Sequence, residues 1–230
     1  MFFQRLIRFI AVGATAIAVG GAYSPIGVAA SNGSGSAASG QGVARQKGSN
    51  ARSGPATGGT IGKVDSVSTS SFAISTPAGQ TVTVETGSFT TYRKGTSSTS
   101  ASAITNGESV LVLGTVNGAT VTASQVIVRP ADEGGSAASS AAGVVSFQRG
   151  APSTSKQIGQ IPASYIQGAG TIVSGTQANK ATEAALATYP GGIVNRVVEL
   201  SDGEYEVHNI GVNWPHHIFV NREFKVVGAN

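Results

Sequence analysis

The sequence predicts a mainly β protein that ends in an α+β module, and three observations carry that prediction. Residues 58–129 alternate apolar and polar side chains in short runs broken by turn residues. Residues 178–189 are rich in alanine without a β-branched run, and from Ile193 the alternation resumes to the C-terminus. Of the 230 residues, 32 are Gly, 11% are charged and none is Cys. The lack of cysteine excludes disulfides, thiolate-held zinc or iron–sulfur centres, a lipid-modified cysteine anchor and a thiol nucleophile. A hydrophobic share of 40% supports small cores better than one large interior.

Residues 1–30 read as an export leader. Arg5 and Arg8 precede an uncharged apolar run from Phe9 to Ala22, and Ser24 and Pro25 then break the helix. Val28-Ala29-Ala30 supplies the small residues a signal peptidase needs, so cleavage is expected between Ala30 and Ser31. The competing reading is an uncleaved anchor, because residues 9–30 are just long enough to span a bilayer. The glycines and Pro25 favour cleavage. The expected location is the cell envelope or the extracellular space, with membrane contact only transient and through the leader.

Residues 31–57 are mostly Ser, Gly, Ala, Asn and Gln, with almost nothing to bury, and are expected to form a disordered spacer. Arg45, Lys47 and Arg52 stand there without an acid, whereas residues 179–230 hold four bases against six acids. The formal net charge of +4 therefore sits at the start of the chain. A nucleic-acid-binding domain needs the reverse, so no nucleic-acid partner is expected.

Within 58–129 the expected elements follow in order. Ile61–Val67 forms a first strand. Phe72 and Ile74 share one face of a second, and Pro77-Ala78-Gly79 turns the chain. Val82 and Val84 then alternate with Thr81, Thr83 and Glu85, and a polar loop runs from Thr91 to Asn106. Val110-Leu111-Val112-Leu113 is apolar on both faces, as a central strand requires. Asn117-Gly118 marks a tight hairpin, and its partner strand runs from Ala119 towards Val128. Five strands in so short a segment suit a small closed or partly closed barrel.

One succession of residues here resembles a known domain. It comprises Gly62-Lys63-Val64, Phe72-Ala73-Ile74 and Gly79-Gln80-Thr81-Val82-Thr83-Val84, then Asn106-Gly107-Glu108-Ser109-Val110, Gly114 and Ala123–Val128. Together they are similar to a family of secreted bacterial domains, OB-like in fold and of unknown function. The resemblance implies a five-stranded OB-like barrel and no particular chemistry. Such barrels often bind oligonucleotides or oligosaccharides through aromatic and basic residues on one face. Tyr92-Arg93-Lys94 is the one such cluster here, a candidate contact for carbohydrate or wall polymer, although a single-strand platform needs further aromatics.

Residues 130–177 are expected to be a linker or irregular connector. Pro130 to Ser139 has tether composition. Val144, Val145, Phe147, Ile158, Ile161, Tyr165, Ile166, Ile172 and Val173 are apolar without a period, so this stretch either crosses a domain or runs extended.

The C-terminal segment, 178–230, reads as one helix and an antiparallel meander. Ala181, Ala185 and Tyr189 share a helical face, and Pro190-Gly191-Gly192 stops the helix. Ile193–Leu200 has strand composition interrupted by Arg196, and Asp202-Gly203 marks a turn. Tyr205 and Val207 are expected to face inward and Glu204, Glu206 and His208 outward, with Ile218, Val220, Phe224 and Val226 in phase. The segment resembles a PepSY-type domain in Ala184-Ala185, Tyr189-Pro190-Gly191-Gly192, Val197, Asp202 to His208, Phe219-Val220 and Phe224-Lys225-Val226. PepSY-type domains occur in propeptides of secreted metalloproteases and in envelope proteins. The resemblance implies non-covalent binding of a protein or peptide, protease modulation included.

Glu206, His208, His216 and His217 are the residues with ligand-type chemistry. Glu206 and His208 share a strand face, and a hairpin through Ile210–Pro215 can return His216 or His217 beside them to hold zinc or copper. Against this, adjacent histidines point to opposite faces of an extended chain, and Trp214 beside them suits the cap of a small core. There is no Gly-x-Ser-x-Gly elbow and no phosphate-binding glycine loop opening a helix. Glu204 and Glu206, the most plausible paired carboxylates, have no evident cleft to perturb them. The expectation is a non-catalytic, cofactor-free protein that binds an envelope protein or peptide through Glu204, Glu206 and His208. A metal-binding role for the histidines is the first alternative, and polymer binding at Tyr92, Arg93 and Lys94 the second.

Overall fold

Apolar–polar alternation gives strands along much of the described chain, and the protein is mainly β. The computed structural model describes residues 54–130, 135–151 and 153–230. The expected leader, its cleavage point at Ala30 and Ser31, and the spacer as far as residue 53 lie outside the described residues. Seven strands come first: β1 (Ala56–Val67), β2 (Ser71–Ser75), β3 (Thr81–Glu85), β4 (Thr91–Lys94), β5 (Ser97–Thr99), β6 (Ser109–Asn117) and β7 (Thr120–Arg129). A short helix α1 (Ser136–Ala141) and three brief strands follow, β8 (Val145–Ser146), β9 (Ile158–Gly159) and β10 (Thr171–Val173). Helix α2 (Gly175–Thr188) leads into β11 (Ile193–Glu199), β12 (Tyr205–Ile210), β13 (Val212–Trp214), β14 (His217–Val220) and β15 (Val226–Ala229).

Pairing in the first segment returns on itself. β1 pairs with β2, β2 with β3, β3 in parallel with β7, β7 with β6, and β6 again with β1. The polar stretch expected as a loop from Thr91 is in part a hairpin, β4–β5, whose first strand runs parallel to β7 from Gln125 to Val128. Only Tyr92 of that hairpin packs against the interior, so its sequence carries little alternation to read. Asn117-Gly118 closes the β6–β7 hairpin with Gly118 at a φ of 59°, which glycine adopts without strain.

β6 is buried from Ser109 to Gly114 because each of its faces belongs to a different core. Val110 and Val112 point into the ring of paired strands with Val64, Ile74, Val82, Val84 and Val126. Leu111 and Leu113 point the other way, onto Ala178, Ala181, Ala185 and Leu186 of α2. The helix expected over 178–189 begins a turn earlier, at Gly175, and Tyr189, Pro190 and the two glycines end it.

The two ordered segments are joined. β1 pairs with β11 through Gly59↔Val194 and Thr60↔Ile193, so β11 extends the sheet that begins in the first segment. Thr60 is fully buried, and its Oγ1 donates to the Gly192 carbonyl at 2.9 Å. The Gln80 side-chain amide donates to the carbonyl of Gly211. Glycine is required at 58 and 59, where a Cβ would run into the carbonyl oxygens of Val194 and Val112. From β11 the order continues through β12, β14, β15 and β9, all antiparallel. Phe224, expected in phase on a final strand, instead sits in the β14–β15 turn at a φ of 57° and stacks on Tyr205 at 5.5 Å.

Residues 135–151 and 153–174 cross the C-terminal strands. The run expected as a tether winds into α1, where Ser139 is buried against Gly191. β8 pairs with β13, β9 with β15 and β10 with β11. Trp214 Nε1 donates to the Lys156 carbonyl at 2.8 Å, and Ser164 Oγ donates to Asp202 at 2.5 Å. Among the described residues no helix is long and apolar enough to cross a membrane.

A Cβ at the junction is expected to destabilise the whole unit. Gly58→Ala should cost about 2 kcal/mol by overpacking, read as a lower urea midpoint of a single Trp214 fluorescence transition. Gly54→Ala, with open space around it, should stay within a few tenths of a kcal/mol.

Candidate functional site

The site lies on the face of the C-terminal strands opposite α2. Cross-strand partners share a face, and the register places Arg196 opposite His208, Val198 opposite Glu206, His208 opposite His217 and Glu206 opposite Phe219. A bulge between Val194 and Arg196 brings Arg196 into that alignment. The alternate residues Val197, Val207 and Ile218 pack towards α2.

The connector covers much of this face. Tyr165 meets Phe219 edge-on at 4.8 Å and lies 5.7 Å from the His217 ring. Glu206, expected to face solvent, is therefore only 2% exposed. Its face was read correctly, but the irregular apolar residues that roof it gave no periodic signal. What remains open is a groove of about 520 Å³. Ser153, Thr154, Ser155, Gln167 and Gly168 of the connector form one wall. Arg196, Glu206, His208, Asn213, Trp214, His216, His217 and Asn230 form the other.

All three histidines line this groove, and each has its Nδ1 engaged. His217 Nδ1 donates to Glu206 Oε1 at 2.8 Å. His208 Nδ1 donates to Asn195 Oδ1 at 2.7 Å, and His216 Nδ1 to the Asn209 carbonyl at 3.3 Å. The expected divergence of His216 and His217 does not occur, because His216 sits in the bend after Pro215 and only His217 is in β14. The backbone N–H groups of both donate to the carbonyl of Asn230, at 2.9 Å each.

Burial lowers the pKa of His208 to about 3, with help from the charge of Arg196, so the ring is neutral at pH 7. Burial alone would raise the Glu206 carboxyl. The hydrogen bond from His217 and the positive charge of Arg196 outweigh it and hold Glu206 below the ordinary carboxylate range. Among the described residues no group of three or more His, Asp or Glu is placed to hold a metal ion.

Glu204 is not brought to the groove. It precedes β12 in the Asp202 turn, where its N–H donates to Asp202 Oδ1 at 3.0 Å. Tyr92, Arg93 and Lys94 lie on β4, far along the sheet order from β12. The Tyr92 ring packs on the interior cluster, and Arg93 donates to the Thr96 carbonyl at 2.9 Å. Sequence reasoning missed Asn195, Tyr165 and the Ser153–Ser155 wall. The one available signal was Arg196, a cation that interrupts the apolar run of β11. No known family model, curated protein or solved structure matches the chain.

The unfolded chain protonates His208 near 6.5 and the folded chain only near 3, so folding stability is lost as pH falls through that window. Glu206 adds to the loss below its ordinary value of 4.5. In chelator-containing buffer the urea midpoint should drop between about pH 7.5 and pH 5. His208→Asn, which keeps a donor towards Asn195, should flatten that drop.

Proposed function

We propose that the chain is an exported, non-catalytic binding protein of the bacterial envelope or extracellular space, and that the groove is where it takes a protein or peptide. The observation that carries this reading is the groove itself. It is open, about 520 Å³, and edged by hydroxyl, amide and imidazole groups that hydrogen-bond an extended polar chain. The Glu206 carboxylate is buried and already accepts a hydrogen bond from His217, so the site offers recognition groups without an exposed acid–base pair.

The fold reading is consistent with this role. The pairing circuit β1-β2-β3-β7-β6-β1, with β3 parallel to β7, supports an OB-like barrel in the first segment. Helix α2 against β11, β12, β14 and β15 supports the PepSY-like reading of the second. In this reading the barrel anchors β11 and the PepSY-like strands present the groove.

The test has two parts. Protein recovered from culture supernatant or envelope should begin at Ser31, read by N-terminal mass spectrometry; a chain that retains Met1 and stays in the cytoplasm contradicts export. A photo-crosslinking side chain at Ser155, on the groove wall, should capture a discrete protein or peptide adduct in the same fraction. The same group at Ser98 on exposed β5 should not. Equal labelling from both positions contradicts a groove-directed interaction.

A further inference from the structure

The segment from Ser153 to Gln160 is exposed at every residue, yet it is held against the C-terminal strands by contacts of the kind that bind a separate peptide. The indole N–H of Trp214 donates to the Lys156 carbonyl at 2.8 Å, and the Lys156 ammonium lies 4.5 Å from the centre of the same ring. Ile158 and Gly159 then add as β9, antiparallel, to the outer edge of β15 opposite Ala229 and Gly228. The Gln160 N–H donates to the Val227 carbonyl at 2.9 Å. A backbone anchor, a cation over an aromatic face and a short length of added strand are recurring parts of extended-peptide recognition.

The slot is shaped for that segment. Tyr189 meets the Trp214 ring at right angles with centres 5.5 Å apart, which fixes the plane on which the ammonium rests. Gly143 leaves the room the ammonium fills, because a Cβ there would stand 2.9 Å from Lys156 Nζ. At the strand edge two glycines face one another. A Cβ on Gly159 would run into the Val227 carbonyl and one on Gly228 into the Gln160 carbonyl, and Gly159 sits at a φ of 69°. A chain in this slot therefore needs a cation over Trp214 and glycine three residues later, as Lys156-Gln157-Ile158-Gly159 supplies.

Burial adds little to this hold. Ile158, the one large apolar residue of the segment, keeps 40% of its surface exposed, so the segment opens more readily than the strands beneath it. We infer that residues 153–160 are a ligand segment bound in cis. The slot made by Trp214, Gly143 and the β15 edge accepts an extended partner peptide with a basic residue over Trp214 and glycine three positions on. This inference rests on the peptide-binding reading above and names the chemistry of the peptide, since Trp214 lines both slot and groove. It also makes Lys156 the group that keeps the site filled until a partner displaces it. A tethered segment acts at an effective concentration of roughly millimolar, which a partner peptide has to exceed in binding strength.

The test uses the whole tag-free chain and, as probe, a capped synthetic peptide of the sequence from Ser153 to Gln160. Binding is read by the emission of Trp214, the one tryptophan of the chain, and by amide shifts at Val227 and Gly228. The unaltered chain should bind the peptide weakly, because its own segment competes. Lys156→Ala and Gly159→Ala in the chain should each tighten peptide binding about fivefold or more, since each removes one hold on the cis segment. Towards the Lys156→Ala chain, a peptide carrying Lys156→Ala or Gly159→Ala should bind about fivefold more weakly or worse. On the unaltered chain the Gln160 amide should exchange by a local opening, well ahead of β12 and β14. That readout needs no variant, and exchange of Gln160 only with global unfolding overturns the inference. So does equal peptide affinity for unaltered and altered chains, absence of saturable binding to both variants, or binding indifferent to the lysine of the peptide. A discrete Ser155 crosslink without peptide exchange removes this inference and leaves the groove reading. Peptide exchange without a crosslink supports the slot and counts against the groove reading.

Discussion

Two residue pairs between β1 and β11 hold the molecule together, and the rest of the structure depends on how closely those strands approach. Gly58 and Gly59 carry no Cβ, which lets β1 lie against the carbonyls of Val194 on one side and Val112 on the other. The contact is sealed by a buried threonine hydroxyl on the Gly192 carbonyl, at the point where Pro190-Gly191-Gly192 has just ended α2. Hydrophobic burial follows the same line. Ile61, Leu111 and Leu113 leave the interior of the first segment to pack under α2, while Ile193 of β11 packs the other way. Neither cluster is filled by one segment alone, and a buried polar bond at such a boundary is costly to leave unmade.

That junction also sets the site. β11 pairs with β1 and β10 along one edge and with β12 along the other, so its bulge and the outward course of Arg196 are held from both sides. The connector then has a fixed surface to cross. By roofing Glu206 it removes a carboxylate from water, which is tolerated because His217 supplies a hydrogen bond and Arg196 a compensating charge. The result is a polar groove whose floor is rigid strand and whose far wall is irregular chain.

Much of this was legible in the residues. β6 announced a strand buried on both faces, Asn117-Gly118 its hairpin, and the alanine spacing of α2 its buried stripe. Glu206 and His208 sharing a face, with a histidine returning beside them, followed from a period of two and a short hairpin. Other features left no local trace. The β4–β5 hairpin is almost wholly exposed, so it has no alternation to show. The connector's apolar residues have no period because its short strands β8, β9 and β10 pair with three different strands, while Phe147 and Ile166 stay exposed. The closeness of His216 to His217 in the groove depends on the bend after Pro215 and on Asn230, thirteen residues after His217 and paired with its backbone. The union of the two segments rests on glycines that read as ordinary turn or spacer residues until a neighbouring strand is placed against them.

The central claim, that 58–129 and 178–230 fold as one cooperative unit through the β1–β11 junction, is tested most directly by native-state hydrogen exchange under increasing denaturant. Amides of β1, β6, β11 and β12 should merge into a single opening with one free energy and one denaturant dependence. Two separate openings, with β11 and β12 exchanging while β1 and β6 remain protected, would contradict it.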